Sequence, residues 1–140
     1  VDGLEFALER SGGVGIGGMA AVSRLGTLVR TGENAWLSSG GLRYAGLDKN
    51  GLNRIEHVLE HTVPDASKPI HSVFSDPRNQ VLGLVDEAWG SAARVPIPNN
   101  HGAFVTPLGR DVGTAGENAV KIVVRPGTNE VITAFPIKWP

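Results

Sequence analysis

Two histidines stand one helical turn apart in Leu52-Asn53-Arg54-Ile55-Glu56-His57-Val58-Leu59-Glu60-His61-Thr62-Val63. At 100° per residue, Leu52, Ile55, Val58, Leu59 and Val63 form one apolar stripe, and His57 and His61 fall roughly opposite it beside Arg54. An imidazole titrates near neutral pH, so it can serve as a base in one step and an acid in the next. The same five residues, His57-Val58-Leu59-Glu60-His61, also spell H-x-x-E-H, the inverted zinc-peptidase pattern, in which the histidines would hold a metal and Glu60 would act as base. That chemistry needs a third protein ligand, from His71, His101 or Glu117, and the local pattern singles out none of them. The plain alternative is that both histidines are ordinary solvated helix residues.

Metal-free cleavage of RNA needs a base for the 2′-hydroxyl, a cation for the charged phosphorane and an acid for the leaving oxygen. Near the C-terminus Val120–Arg125, the turn Pro126-Gly127-Thr128-Asn129 and Glu130–Phe135 read as a hairpin. It supplies Lys121, Arg125 and Thr133. A four-residue loop pairs Arg125 with Glu130 and sets Thr133 opposite Ile122, on the other face from Lys121. A five-residue loop pairs Arg125 with Val131 and brings Lys121, Arg125 and Thr133 to one face. A slip of one residue decides between them. His71, in Pro69-Ile70-His71-Ser72-Val73-Phe74, fits a catalytic or a partly buried structural role equally well. His101 lies in a polar loop and ranks lowest. Arg54, Lys68 and Thr128 are the expected RNA contacts. Trp36, Trp89 and Trp139 read as packing residues, since no basic stripe surrounds them.

The elements that must position these groups follow from patterning. With 140 residues, 41% of them hydrophobic, the chain can build one domain with a core. A net charge of −1 argues against coating nucleic acid by bulk electrostatics. The absence of cysteine excludes disulfides and thiolate zinc sites. No apolar stretch reaches transmembrane length. The start at Val1 reads as a cut from a longer protein. Residues 1–41 are expected to form a glycine-rich leader or helical cap, with short helices at Leu4–Glu9 and Met19–Val29, and residues 42–140 the main domain. The run Gly13-Val14-Gly15-Ile16-Gly17-Gly18 satisfies G-x-G-x-x-G but lacks the preceding strand and the acidic partner of a dinucleotide site. After the histidine helix, ended by Pro64, strands are expected at Ile70–Ser75, Val81–Val85 and Gly102–Pro107 and in the hairpin, with a helical turn at Asp86–Trp89 and a loop at Val95–Asn100. The fold class is α+β, with N-terminal helices packed on a twisted antiparallel sheet of four to five strands.

Three stretches carry a resemblance when taken in order: Gly51–Thr62, Lys68–Phe74 followed by Val85-Asp86-Glu87-Ala88-Trp89, and Lys121–Thr128 with Val131-Ile132-Thr133-Ala134-Phe135-Pro136. Over about residues 42–137 they resemble the C-terminal toxin domains of bacterial polymorphic toxins, including those of contact-dependent growth inhibition proteins. The resemblance implies an RNase of the barnase/EndoU/colicin/RelE-like group. Such a domain is delivered by a larger secreted or surface protein, attacks RNA (often tRNA) in the target cell's cytosol without metal or other cofactor, and is blocked by a cognate immunity protein. It implies site residues His57 or His61, Lys121 or Arg125, and Thr133. A near-neutral charge fits that group poorly, since many such toxins are basic. A zinc hydrolase built on His57, Glu60 and His61, and a non-enzymatic interaction domain, are the competing expectations.

Overall fold

The computed structural model describes residues 28–68 and 70–140. The glycine run at 13–18 and the expected helix at Leu4–Glu9 lie outside them. Among the described residues the fold is α+β, with two α-helices and two antiparallel sheets. Strands β1 (Leu28–Gly32), β2 (Ala35–Ser38) and β3 (Arg43–Ala45) form a three-stranded meander. Helices α1 (Arg54–Leu59) and α2 (Val81–Gly90) follow, and β4 (Val95–Pro96), β5 (Ala103–Pro107), β6 (Ala119–Val124) and β7 (Val131–Ile137) form a second sheet in the order β4-β5-β6-β7. The described part of the expected leader thus carries β1 and β2, and Leu28-Val29 belongs to a strand rather than to the end of a helix.

One sheet with helices on it was expected; the structure has two sheets, and the first is part of the core. Leu42 and Tyr44 are fully buried beside Ile55, Val58, Val85 and Ile122. The sheets join at the β6–β7 hairpin tip. The Arg43 amide donates to the Asn129 carbonyl (2.9 Å), and the Asn129 side-chain amide donates to the Gly41 carbonyl (2.6 Å).

Two expected strands are not strands. Residues 70–75 are irregular, with a single bridge between Phe74 and Gly113. Val81–Val85 is the first half of α2. Four apolar residues around one glycine, Val81-Leu82-Gly83-Leu84-Val85, cannot by themselves distinguish a buried strand from a buried helix. The distinction lies further along: Val81, Leu84, Val85 and Ala88 are all buried, at helical spacing. This stripe lies against one face of the second sheet, where the buried Thr106 hydroxyl donates to the Ala88 carbonyl at 2.7 Å. On that face β6 contributes Val120, Ile122 and Val124, all buried.

The hairpin resolves its register in a way neither simple loop allows. The Arg125 amide donates to the Glu130 carbonyl (2.9 Å), the four-residue-loop pairing. Val124 then pairs with Val131, but Val123 pairs with Thr133, so Ile132 is an extra residue, a β-bulge. A bulge shifts alternation by one position. It returns Thr133 and Phe135 to the face that carries Val123 and Lys121, and Phe135 pairs directly with Lys121.

Tyr44 is fully buried, and its hydroxyl has no hydrogen-bond partner among the described residues. Burial, and secondarily the nearby Asp86 carboxylate, push its ionisation well above the ordinary tyrosine value. A buried hydroxyl without a partner carries a desolvation cost that a phenyl ring avoids. Tyr44→Phe is therefore expected to leave stability unchanged or raise it by about 1 kcal/mol. Loss of stability in a urea denaturation series would show that the hydroxyl is satisfied.

Candidate active site

Helix α1 is fixed at its start by a capping box. The Asn53 side chain accepts from the Glu56 amide (2.8 Å), and the Glu56 carboxylate accepts from the Asn53 amide (3.0 Å). Arg54, expected as an RNA contact, points to the sheet. Its Nη1 donates to the Ile132 carbonyl (3.1 Å), within the bulge. The helix is thereby tied to the β7 edge at the point where the strand changes alternation.

His57 and His61 do not share a surface. Regular helix ends at Leu59, and Glu60–Thr62 is a 3₁₀ turn. At three residues per turn rather than 3.6, each step rotates the side chain further, so His61 swings away from His57. His57 turns to Asp48, with Nδ1 and Oδ2 2.7 Å apart. Asp48 Oδ1 accepts from the amides of Asn50 (2.8 Å) and Leu52 (3.0 Å). The His57 hydrogen bond, supported by those amides, lowers the Asp48 carboxyl to about 2. Asp48 therefore stays charged through the physiological range and orients the His57 ring.

His61 turns to the second sheet. Its Nδ1 lies 2.8 Å from the Ser72 carbonyl, which can only accept, so Nδ1 carries the proton and Nε2 keeps its lone pair. His61 stacks on His71, with ring centroids 4.6 Å apart and planes at 15°, and on Phe135 at 5.3 Å. The His71 Nε2–H donates to the carbonyls of Val63 (2.9 Å) and Glu60 (3.2 Å), and its Nδ1 has no hydrogen bond among the described residues. The Lys121 ammonium stands 5.7 Å from the Phe135 ring centroid. Thr133 is two residues before Phe135 on the same face of β7, half-buried, and its hydroxyl has no side-chain bond among the described residues. The structure thus brings His61 and Lys121 to Phe135, with His71 stacked on His61 and Thr133 on the same face of β7.

Other expected residues stand apart. Arg125 is exposed, and its Nε binds Glu130 Oε1 at 3.1 Å. Thr128 is occupied within the hairpin turn, donating to the Arg125 carbonyl (2.7 Å). Lys68 forms an exposed pair with Asp65 at 3.7 Å, yet its charge is among those that act on His61. Phe135 and Asp48 were not singled out in the sequence. Phe135 was accessible there, since it shares alternation with Thr133. Asp48 carries no spacing signal, because a turn rather than a helix brings it to His57.

The zinc pattern H-x-x-E-H is not assembled. Among the described residues the one cluster of three possible metal ligands is Asp48, His57 and Glu60, with ligand atoms within 4.8 Å of one another, and it omits His61. Its two closest atoms already form the 2.7 Å hydrogen bond between His57 and Asp48, which a metal using both would have to break.

The chain matches no family model, no curated protein and no solved structure. What the site can do is therefore read from its own side chains.

Burial holds the His61 imidazole below its ordinary value of 6.5. The Ser72 carbonyl opposes this, and the neighbouring His71, Lys68 and His57 reinforce it. The unfolded chain then binds a proton more readily than the folded one. The stability from a neutral, buried His61 is complete above pH 6.5 and is lost as the pH falls through its lowered folded value. His61→Phe keeps the stack and removes the titration. Guanidinium melts at pH 7.5 and 5.0 are expected to show a smaller loss of stability on acidification for His61→Phe than for the wild type. Equal losses would mean that His61 titrates as an exposed histidine.

Proposed function

We propose that this chain is a metal-independent endoribonuclease whose acid–base pair is His61 and His71. The observation that carries this reading is the stacked pair itself. Two imidazoles lie 4.6 Å apart, each with one nitrogen committed to backbone carbonyls and the other left for chemistry. A lysine stands close to the ring on which His61 stacks.

In this reading neutral His61 takes the 2′-hydroxyl proton on Nε2. The 2′-oxygen attacks phosphorus, the bond from phosphorus to the 5′-oxygen breaks, and the departing oxygen takes the second proton, on Nδ1, of a His71 imidazolium, which is left neutral with its Nε2–H in place. The products are a 2′,3′-cyclic phosphate and a 5′-hydroxyl end. Lys121 offsets the charge that grows on the non-bridging oxygens, and the Thr133 hydroxyl holds one of them. Phe135 provides a flat apolar wall that orients the His61 ring. His57, held by Asp48 within α1, is a positioning residue.

Two helices that precede an antiparallel sheet bearing the site on its other face also suit the toxin RNase group that the sequence resembles. We extend the reading accordingly. The substrate is RNA, with tRNA the first candidate, reached in the cytosol of a target cell after delivery by a larger secreted or surface protein, and a cognate immunity protein blocks the site. No helix among the described residues is long and apolar enough to cross a membrane.

The test is cleavage of purified tRNA and total RNA by the chain in the presence of a chelator. His61→Ala and His71→Ala are each expected to lower the rate about 100- to 10,000-fold. Lys121→Ala is expected to lose a similar factor, since it removes a charge that acts in the transition state. His57→Ala, which leaves the stacked pair itself intact, is expected to lose less. Undiminished cleavage by both the His61 and His71 variants would remove this site from the reaction. Activity that returns only with added zinc would favour a metal hydrolase, and intact RNA with growth arrest an interaction domain.

A further inference from the structure

A second concavity lies at the far end of the same sheet. A cavity of about 450 Å³ is walled by Trp89 from α2, Arg94, Phe104 from β5, the 97–102 turn and the hairpin loop at 126–128. That volume lies within the range of small-molecule sites. No carboxylate lines it, while Arg94 and His101 do.

Its centre is a pre-built stack. The Arg94 guanidinium sits 3.9 Å from the Trp89 ring centroid and 5.0 Å from that of Phe104, and the two rings meet edge to face at 5.4 Å. Arg94 Nη1 donates to the Trp89 carbonyl (2.8 Å), which fixes the plane of the guanidinium. The turn above is closed by backbone bonds from Ile97 to Ala103 (2.9 Å), Ala103 to Asn100 (3.1 Å) and Asn100 to Ile97 (3.2 Å). These bonds leave the side chains of Asn99, Asn100 and His101 exposed on the rim. Planar cationic and aromatic faces suit a nucleobase, amide side chains suit its hydrogen-bonding edge, and a positive lining suits its phosphate.

We infer that this cavity binds a nucleotide, its base on the Trp89–Arg94–Phe104 stack and its edge read by Asn99 and Asn100. The cavity is separate from the histidine site and does not depend on it for binding. Only the step from a nucleotide to one unit of an RNA strand rests on the ribonuclease reading. The two places are linked by one row of the sheet, since Ala103 pairs with Val123 and Val123 with Thr133. Two strand spacings separate the ends of that row, roughly 10 Å, but Phe104 pairs with Ile122 on the α2 face while Thr133 lies on the opposite one, so a single strand held here must pass around the end of the sheet to meet Thr133.

The experiment titrates the full wild-type chain with the four ribonucleoside 5′-monophosphates, ribose 5-phosphate and inorganic phosphate, none of which carries the phosphodiester that the proposed reaction cleaves. Binding is followed by calorimetry and by the Trp89 indole resonance. Nucleotides are expected to move that resonance and to bind at least tenfold more tightly than ribose 5-phosphate. Arg94→Ala and the exposed Asn100→Ala are each expected to weaken them by about tenfold, the scale of one lost stacking or base-edge contact. Phosphate or ribose 5-phosphate binding as tightly as nucleotides, an unmoved Trp89 signal, or affinity that survives both variants would overturn the inference. Nucleotide binding by a protein whose wild type cleaves no RNA leaves this site standing and removes the ribonuclease reading. Cleavage without nucleotide binding does the reverse.

Discussion

One extra residue in β7 governs the arrangement of the site. The bulge at Ile132 shifts the alternation of the strand beyond it, so Thr133 and Phe135 share a face with Lys121 instead of entering the core. It also leaves a carbonyl outside the regular ladder, and Arg54 takes that carbonyl. Strand register and helix position are thus set by the same local distortion. Without it, the side chains that now meet around Phe135 would alternate onto opposite faces of the sheet.

The core answers to a different constraint. Helix α2 covers one face of the second sheet with a stripe of small and branched residues and accepts the Thr106 hydroxyl at its end. The other face carries polar groups beside the buried Ala103 and Val105 of β5. Lys121, Val123, Thr133 and Phe135 are accordingly half-buried rather than sealed. A sheet covered by a helix on one side and partly open on the other is a common way to present reactive side chains on a rigid surface.

Much of this was legible in the sequence, and the failures have physical causes. The hairpin was readable because alternating β-branched residues flank a Pro-Gly turn. The histidine helix was readable from its apolar stripe. The divergence of His57 and His61 was not, because a helical wheel assumes a constant rotation per residue and the chain tightens to 3₁₀ at Glu60. The bulge was not, because Ile132 looks like any other strand residue, and both registers weighed for the loop assumed an uninterrupted ladder. The first sheet escaped notice because β1 to β3 are short and set among glycines, so their alternation spans only three to five residues each. Val81–Val85 was misassigned because its apolar run is too short to show a period until Ala88 completes it. Arg94 and Trp89 stand five positions apart and meet only where α2 ends.

The junction between the sheets bears on how the protein comes into being. Asn129 bonds to Gly41 across 88 positions of chain, and the catalytic candidates run from His61 to Phe135. Contacts this distant in sequence require closing long loops before any stabilisation returns, which slows folding and makes it concerted. A chain cut before β7 lacks Thr133, Phe135 and the carbonyl that tethers Arg54. Loss of that one strand removes the Phe135 wall of the stack and the anchor of α1 together, so the site exists only in the fully closed fold.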